Sequence, residues 1–93
     1  MYQLQITSKF KKDIKRLKGG PKDHELAKAV PKRLSQQGVK GIPAQMHPHK
    51  LSGTYKNCWE CHIKPHLLII WIHIDKNNII KLVRLGPHSE LFK

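Results

Sequence analysis

Acidic residues are scarce in this chain: six Asp and Glu stand against eighteen Lys and Arg, a formal charge of +12. Such an excess repels itself in a small body and exceeds what solubility requires, so an anionic partner is expected. Long apolar runs are missing too. No stretch approaches the ~18 apolar residues that make a membrane-span candidate, and the opening residues lack a basic-then-apolar signal. A cytoplasmic protein without membrane association is therefore expected. Cysteine is limited to Cys58 and Cys61, too few for a disulfide framework. Aromatic residues number only six, which leaves few candidates for base stacking.

What is present fits one domain spanning residues 1–93, since 93 residues with 39% hydrophobic content can build one core but not two. Tyr2, Leu4 and Ile6 alternate with glutamines, which predicts a strand over 2–6 with one buried face. Thr7 and Ser8 offer helix caps. Phe10, Ile14 and Leu17 then recur at helical spacing between lysines, predicting a basic amphipathic helix to about Lys18 that stops at Gly19-Gly20. Eleven of the eighteen basic residues fall between Lys9 and Lys40, six of them in KFKKDIKRLK.

Pro21 suits the first turn of a second helix, and Leu26, Val30 and Leu34 carry its apolar stripe toward Gly38. Pro31 lies inside it, so either the helix kinks there or two shorter helices meet. The segment 38–48 holds two Gly and two Pro without periodicity and reads as a loop. Strands are predicted near 50–56, 58–64, 67–74 and 79–85. Lys64-Pro65-His66 and Asp75-Lys76-Asn77-Asn78 form turns between the last three. Short connections imply an antiparallel meander, with LLIIWIHI at its centre. The order β-α-α-β-β-β-β gives an α+β domain: two N-terminal helices packed on a curved, mainly antiparallel sheet.

Cys58 and Cys61 with His62 spell C-x-x-C-H, the pattern of c-type haem attachment and of half a zinc site. Strand parity argues against both. In an extended run Cys58, Glu60 and His62 share one face while Trp59, Cys61 and Ile63 share the other, so the sulfurs point apart. No metal or cofactor is expected. The same parity joins Glu60 to His62, and it joins Ile80, Leu82 and Arg84 on the last strand.

Seven histidines occupy positions 24, 47, 49, 62, 66, 73 and 88. His49, His62, His66 and His88 fall at strand ends or turns, where side chains can converge on one open edge of a sheet. Histidine, with an unperturbed pKa of ~6.5, serves as base or acid near neutrality. Arg84 and lysines can stabilise developing negative charge. Together these suit cleavage of RNA by internal attack of the ribose 2′-OH on the adjacent phosphate, with no metal needed. Glu60 is either part of that group or a salt-bridge partner, and Arg84 a phosphate clamp or an ion pair. Lys11, Lys12, Lys15 and Lys50 are candidate contacts to RNA backbone. Phe10 and Trp71 read as core and Tyr2 as a strand-face residue. Phe92 either stacks on a base or packs the tail, and Tyr55 and Trp59 are ambiguous.

The opening strand into SKFKKDIKR, then HKLSGTYK, ECHIKP and RLGPHSELF, resembles the RelE/ParE superfamily and within it the YafQ-like ribonuclease toxins. The resemblance covers essentially the whole chain. It implies an mRNA interferase acting in the ribosomal A site, growth arrest, and neutralisation by a cognate antitoxin. It also implies that His49, His62 and His88 occupy the family's functional histidine positions and that Phe92 is its terminal aromatic. Where the family pattern has Asp this chain has His66, where it has an aromatic it has Leu67, and where it commonly has Arg it has Trp59. His88 is then the expected general acid, and His49, His62 and His66 share the role of base with Glu60 in reserve. Two other readings compete. A nucleic-acid-binding module without catalysis explains the charge but not the histidines, and a ParE-like toxin aimed at gyrase would not need them.

Overall fold

The computed structural model describes residues 1–17, 19–74 and 78–92. Strand β1 covers Gln3–Ile6 and helix α1 Ser8–Arg16. Thr7 joins them: its Oγ1 accepts from the Phe10 N–H at 3.0 Å and donates to the Val83 carbonyl at 2.8 Å. One side chain thus caps the helix and fixes its start to the last strand. On α1, Phe10 and Asp13 are buried and Ile14 and Leu17 half-buried, while Lys11, Lys12 and Lys15 are exposed.

Helix α2 runs unbroken from Gly20 to Gln37, with Pro21 in its first turn. Pro31 neither ends nor divides it. It removes one backbone donor, yet its ring lies on the buried side with Ala27, Val30 and Leu34, where packing compensates. The helix stops at Gly38, whose φ of +65° favours glycine, and a Cβ there would sit 2.9 Å from the Tyr2 ring. Two short 3-10 turns, Gly38–Gly41 and Ala44–Met46, lie within the predicted loop.

Strand β2 is only His49–Lys50, which corrects the expected strand over 50–56. Gly53 and Asn57 adopt φ of +69° and +70°, a left-handed backbone incompatible with a ladder, and Gly53–Tyr55 forms a 3-10 turn instead. Strands β3 (Trp59–Lys64), β4 (Leu67–Ile74) and β5 (Ile79–Gly86) follow, then the short helix α3 (His88–Leu91). Of the second expected turn only Asn78 is described. The sheet order is β1-β5-β4-β3-β2. β2 to β5 pair antiparallel as a meander, and β1 joins β5 in parallel. The fold is α+β, as the pattern predicted, with a mixed sheet.

Each face of the sheet buries its own apolar cluster. Against the helices lie Phe10, Val30, Leu34, Cys61, Ile69, Trp71 and Leu82. On the opposite face Cys58, Leu68, Ile70 and Leu91 gather beneath Tyr55 and Phe92. The parity reading of β3 holds, since Cys58 and Cys61 fall in different clusters and both thiols are free and buried. Burial and the nearby Glu60 charge push the Cys61 thiol up to about 12. Its thiolate is therefore almost absent at neutral pH. Intact mass after iodoacetamide treatment should show Cys61 unmodified in the native protein and two adducts after unfolding. A Cys61 adduct formed quickly in the native state would contradict this burial.

Candidate active site

The sheet face turned away from α1 and α2 carries His49 and His62, whereas His73 lies with Trp59 and Trp71 on the other face. Partners on neighbouring strands share a face, so the register His49–Glu60, Glu60–Ile70 and Ile70–Arg84 lays one row across four strands. The next row is His62, Leu68 and Gly86. His88 follows Gly86 by two residues, at the start of α3. With strands ~4.8 Å apart, the backbones at His62 and Gly86 are about 10 Å apart, room for a phosphodiester between histidines.

His49 Nε2 lies 2.9 Å from Glu60 Oε2, and its Nδ1 lies 2.7 Å from the His47 carbonyl. One ring nitrogen thus faces a backbone carbonyl and the other a carboxylate oxygen, both of them acceptors. The His49 side chain is 47% exposed and that of Glu60 only 6%. Among the described residues Glu60 Oε1 has no hydrogen-bond partner. A buried carboxylate thus anchors an accessible imidazole and keeps one oxygen in reserve.

His47, not among the histidines expected at the site, belongs to this group. Its backbone is left-handed at φ 52°, ψ 56°, and its ring meets His62 edge-on with centroids 6.3 Å apart. No regular periodicity foretells a residue whose contribution to His49 is a carbonyl. At the other end of the row the His88 ring stacks on Phe92, with centroids 4.5 Å apart and planes at 23°. Phe92 in turn meets Tyr55 edge-on at 5.3 Å, and the Tyr55 hydroxyl donates to the Leu91 carbonyl at 2.9 Å. The tail is therefore packed, and Phe92 orients His88. His66 is exposed in the turn between β3 and β4 and takes part in none of these contacts.

Arg84 reaches this region by a route that strand parity misses. A register shift between Ile70 and Trp71 places Leu82 opposite Trp71 but Arg84 opposite Ile70. Arg84 therefore parts from Ile80 and Leu82, correcting the expected grouping, and joins the Glu60 face. Its guanidinium is bidentate to Asp13, with Nε to Oδ2 at 2.8 Å and NH2 to Oδ1 at 3.1 Å, and the Leu85 N–H donates to the same Oδ2 at 2.9 Å. Hydrogen bonding to Asp13 holds the guanidinium pKa above its ordinary value despite partial burial, with Tyr55 adding to the effect. Arg84 is an ion-paired residue in the resting structure. Beside it a cleft of about 560 Å³ is lined by Arg16, Gly86, Pro87 and Glu90 among others.

The lysines divide. Lys11, Lys12 and Lys15 are exposed on α1. Lys50 follows His49 on β2 and pairs with Trp59, so it faces the other side of the sheet. Among the described residues no three His, Cys, Asp or Glu side chains are grouped to hold a metal ion, and no helix is long and apolar enough to cross a membrane.

Comparison with known proteins agrees with this fold. The chain is 26% identical over 89 residues to the mRNA interferase toxin YafQ of Escherichia coli K12, covering 96% of this chain and 94% of that one. The E. coli DinJ-YafQ complex contains a chain that matches with a TM-score of 0.84 at 25% identity, with both chains fully covered. A metal-bound toxin from Helicobacter pylori matches with a TM-score of 0.84 at 38% identity over 99% of this chain and 100% of that one. The family model describing the YafQ bacterial toxin of type II toxin-antitoxin systems matches residues 2–93. With the family model matched along nearly the whole chain and the fold shared end to end with solved members, the chain belongs to the YafQ toxins of type II toxin-antitoxin systems.

Proposed function

We propose that this toxin is a metal-independent endoribonuclease that cleaves mRNA, in association with the ribosome, by internal 2′-OH attack. The observation that carries the reading is the row of His49, Glu60 and Arg84 beside His62, with His88 held by Phe92 at its end. A histidine base takes the 2′-OH proton and the 2′-oxygen bonds to phosphorus. The bond to the 5′-oxygen breaks as His88 gives that oxygen a proton. The products are a 2′,3′-cyclic phosphate and a 5′-hydroxyl.

His49, His62 and His66 share the role of base, with different readiness. Both nitrogens of His49 are engaged at rest, so it accepts a proton only on parting from Glu60. Until then, the His49–Glu60 pair presents a positively polarised ring to the developing phosphorane charge. His62 makes no such commitment. His66, standing where the family pattern has Asp, lies in the exposed turn between β3 and β4 and takes its part through RNA that passes over that turn. Arg84 supplies cationic charge held in place by Asp13.

Lys11, Lys12 and Lys15 offer point charges without a stacking group, so they should hold RNA backbone. Reversing all three to Glu is expected to weaken binding across sequences. It should also lower the slope of log affinity against log salt by about 2, from ~0.7 per single-strand phosphate contact. Affinity lost for one RNA sequence alone would contradict a backbone role.

The DinJ-YafQ complexes supply the model for a cognate antitoxin, whose acidic or amphipathic segment would complement the +12 charge. The function is tested by co-expressing the chain with the product of the neighbouring reading frame and purifying it free. RNA cleavage is then assayed with and without translating ribosomes, and with EDTA. Cleavage strongest on translated mRNA, undiminished by the chelator and blocked by the antitoxin, is expected. Gyrase inhibition without RNA cleavage would establish a ParE-like activity instead.

A further inference from the structure

Consecutive strand residues point to opposite faces, so the edge strand β2 carries His49 on the active-site face and Lys50 on the other. On that second side the Lys50 ammonium lies 5.8 Å from the centroid of the Trp59 ring. Trp59 is half-buried and stacks on Trp71, with centroids 6.4 Å apart and planes at 11°. Trp71 is 0% exposed, so the partly open indole rests on a fixed aromatic floor. In front of it lies an open cleft of about 700 Å³ where β3 begins and β4 ends, bordered by the end of α2. Gln37, Lys40, Lys50 and Asn57 contribute polar groups, and of the described residues lining the cleft none is acidic.

These features are uncommon together in a chain with so few aromatics. Trp59 keeps part of its surface open between two lysines, beside amide side chains that can bond base edges. Aromatic rings stack on any nucleobase, and flanking cations hold its phosphates. We propose that this cleft binds one nucleotide of the single-stranded RNA substrate, beyond the cleaved bond. The base stacks on Trp59 and the phosphate lies between Lys40 and Lys50, with the RNA passing over the two-residue β2 edge from the histidine face. Charge complementarity and continuity with the active site through β2 select RNA as the occupant. The proposal rests on the ribonuclease reading and extends it to a second subsite.

Trp59 itself provides the measurement, because Trp71 is buried and the chain has two tryptophans. Tryptophan emission and the anisotropy of labelled, uncleavable 2′-O-methyl oligoribonucleotides of increasing length are recorded with wild type, Trp59→Ala, Trp59→Phe and Lys40→Glu. Oligonucleotides long enough to cross β2 should quench emission and bind tighter than short ones. Trp59→Ala should lose this gain by ~10-fold, the scale of one stacked base, whereas Trp59→Phe should keep most of it. Lys40→Glu, exposed in a surface turn, should also lose it. Length-independent affinity, unaltered by Trp59→Ala and Lys40→Glu, overturns the subsite, as does quenching by the cognate antitoxin with none by RNA. A failure of the ribonuclease reading is distinct: wild type then cleaves no RNA, with or without ribosomes.

Discussion

His88→Ala is expected to slow RNA cleavage by ~10² to 10⁴, the range for loss of a general acid or base, while leaving RNA affinity nearly unchanged. The ring sits at the start of α3, stacked on Phe92 and two residues beyond the row that contains His62. It is exposed and carries none of the fold's buried contacts, so its removal should not cost stability. Phe92→Leu should give a smaller loss, because it frees the ring without deleting the acid. Single-turnover cleavage beside a binding isotherm separates the two effects. Cleavage unchanged in His88→Ala would remove this residue from the mechanism.

The second large effect concerns stability. Asp13 is 9% exposed and accepts hydrogen bonds from the Arg84 guanidinium and the Leu85 N–H, tying α1 to β5. Asp13→Ala leaves a part-buried guanidinium and a buried backbone donor without their acceptor. A loss of about 3–5 kcal/mol is expected, as for other broken buried ion pairs. The double variant Asp13→Ala with Arg84→Ala should be less destabilised than the sum of the two singles, because no unpaired cation remains. Urea unfolding of the four proteins measures the coupling. Strict additivity would show that the pair is a surface contact without structural consequence.

The two halves of that pair were unequally legible in the sequence. Asp13 falls on the apolar stripe of α1 with Phe10, Ile14 and Leu17, and an acid on a buried helix face signals a buried partner. Within so basic a run it reads instead as a solvated residue. Arg84 was visible as a candidate cation, but its face was not, because the register shift at Ile70/Trp71 depends on a partner strand that periodicity does not contain.

Elsewhere the period-two and 3.6-residue patterns placed both long helices and β3 to β5, since each has a buried face that repeats; they placed β1 as well, but its expected buried face is only partly covered, with Leu4 half-buried and Ile6 48% exposed. They overextended β2. The chain from Leu51 to Cys58 turns on the left-handed residues Gly53 and Asn57, and its Leu51 and Tyr55 side chains bury against the sheet without forming a strand. Within the site, the pairing of Glu60 with His62 by parity was legible. The direct partner of Glu60 is nonetheless His49, which only the β2–β3 register reveals. His47 remained hidden because it acts on His49 through a backbone carbonyl.

The central claim is cleavage by the substrate's own 2′-OH on the histidine face. Its most direct test is mass spectrometry of the products from an oligoribonucleotide and from the same oligonucleotide with a single 2′-deoxy substitution at the cleaved position, both in EDTA. The oligoribonucleotide should yield a 2′,3′-cyclic phosphate and a 5′-hydroxyl, and the deoxy substrate should remain intact at that bond. Cleavage of the deoxy-substituted bond, or a 5′-phosphate product, would contradict the account.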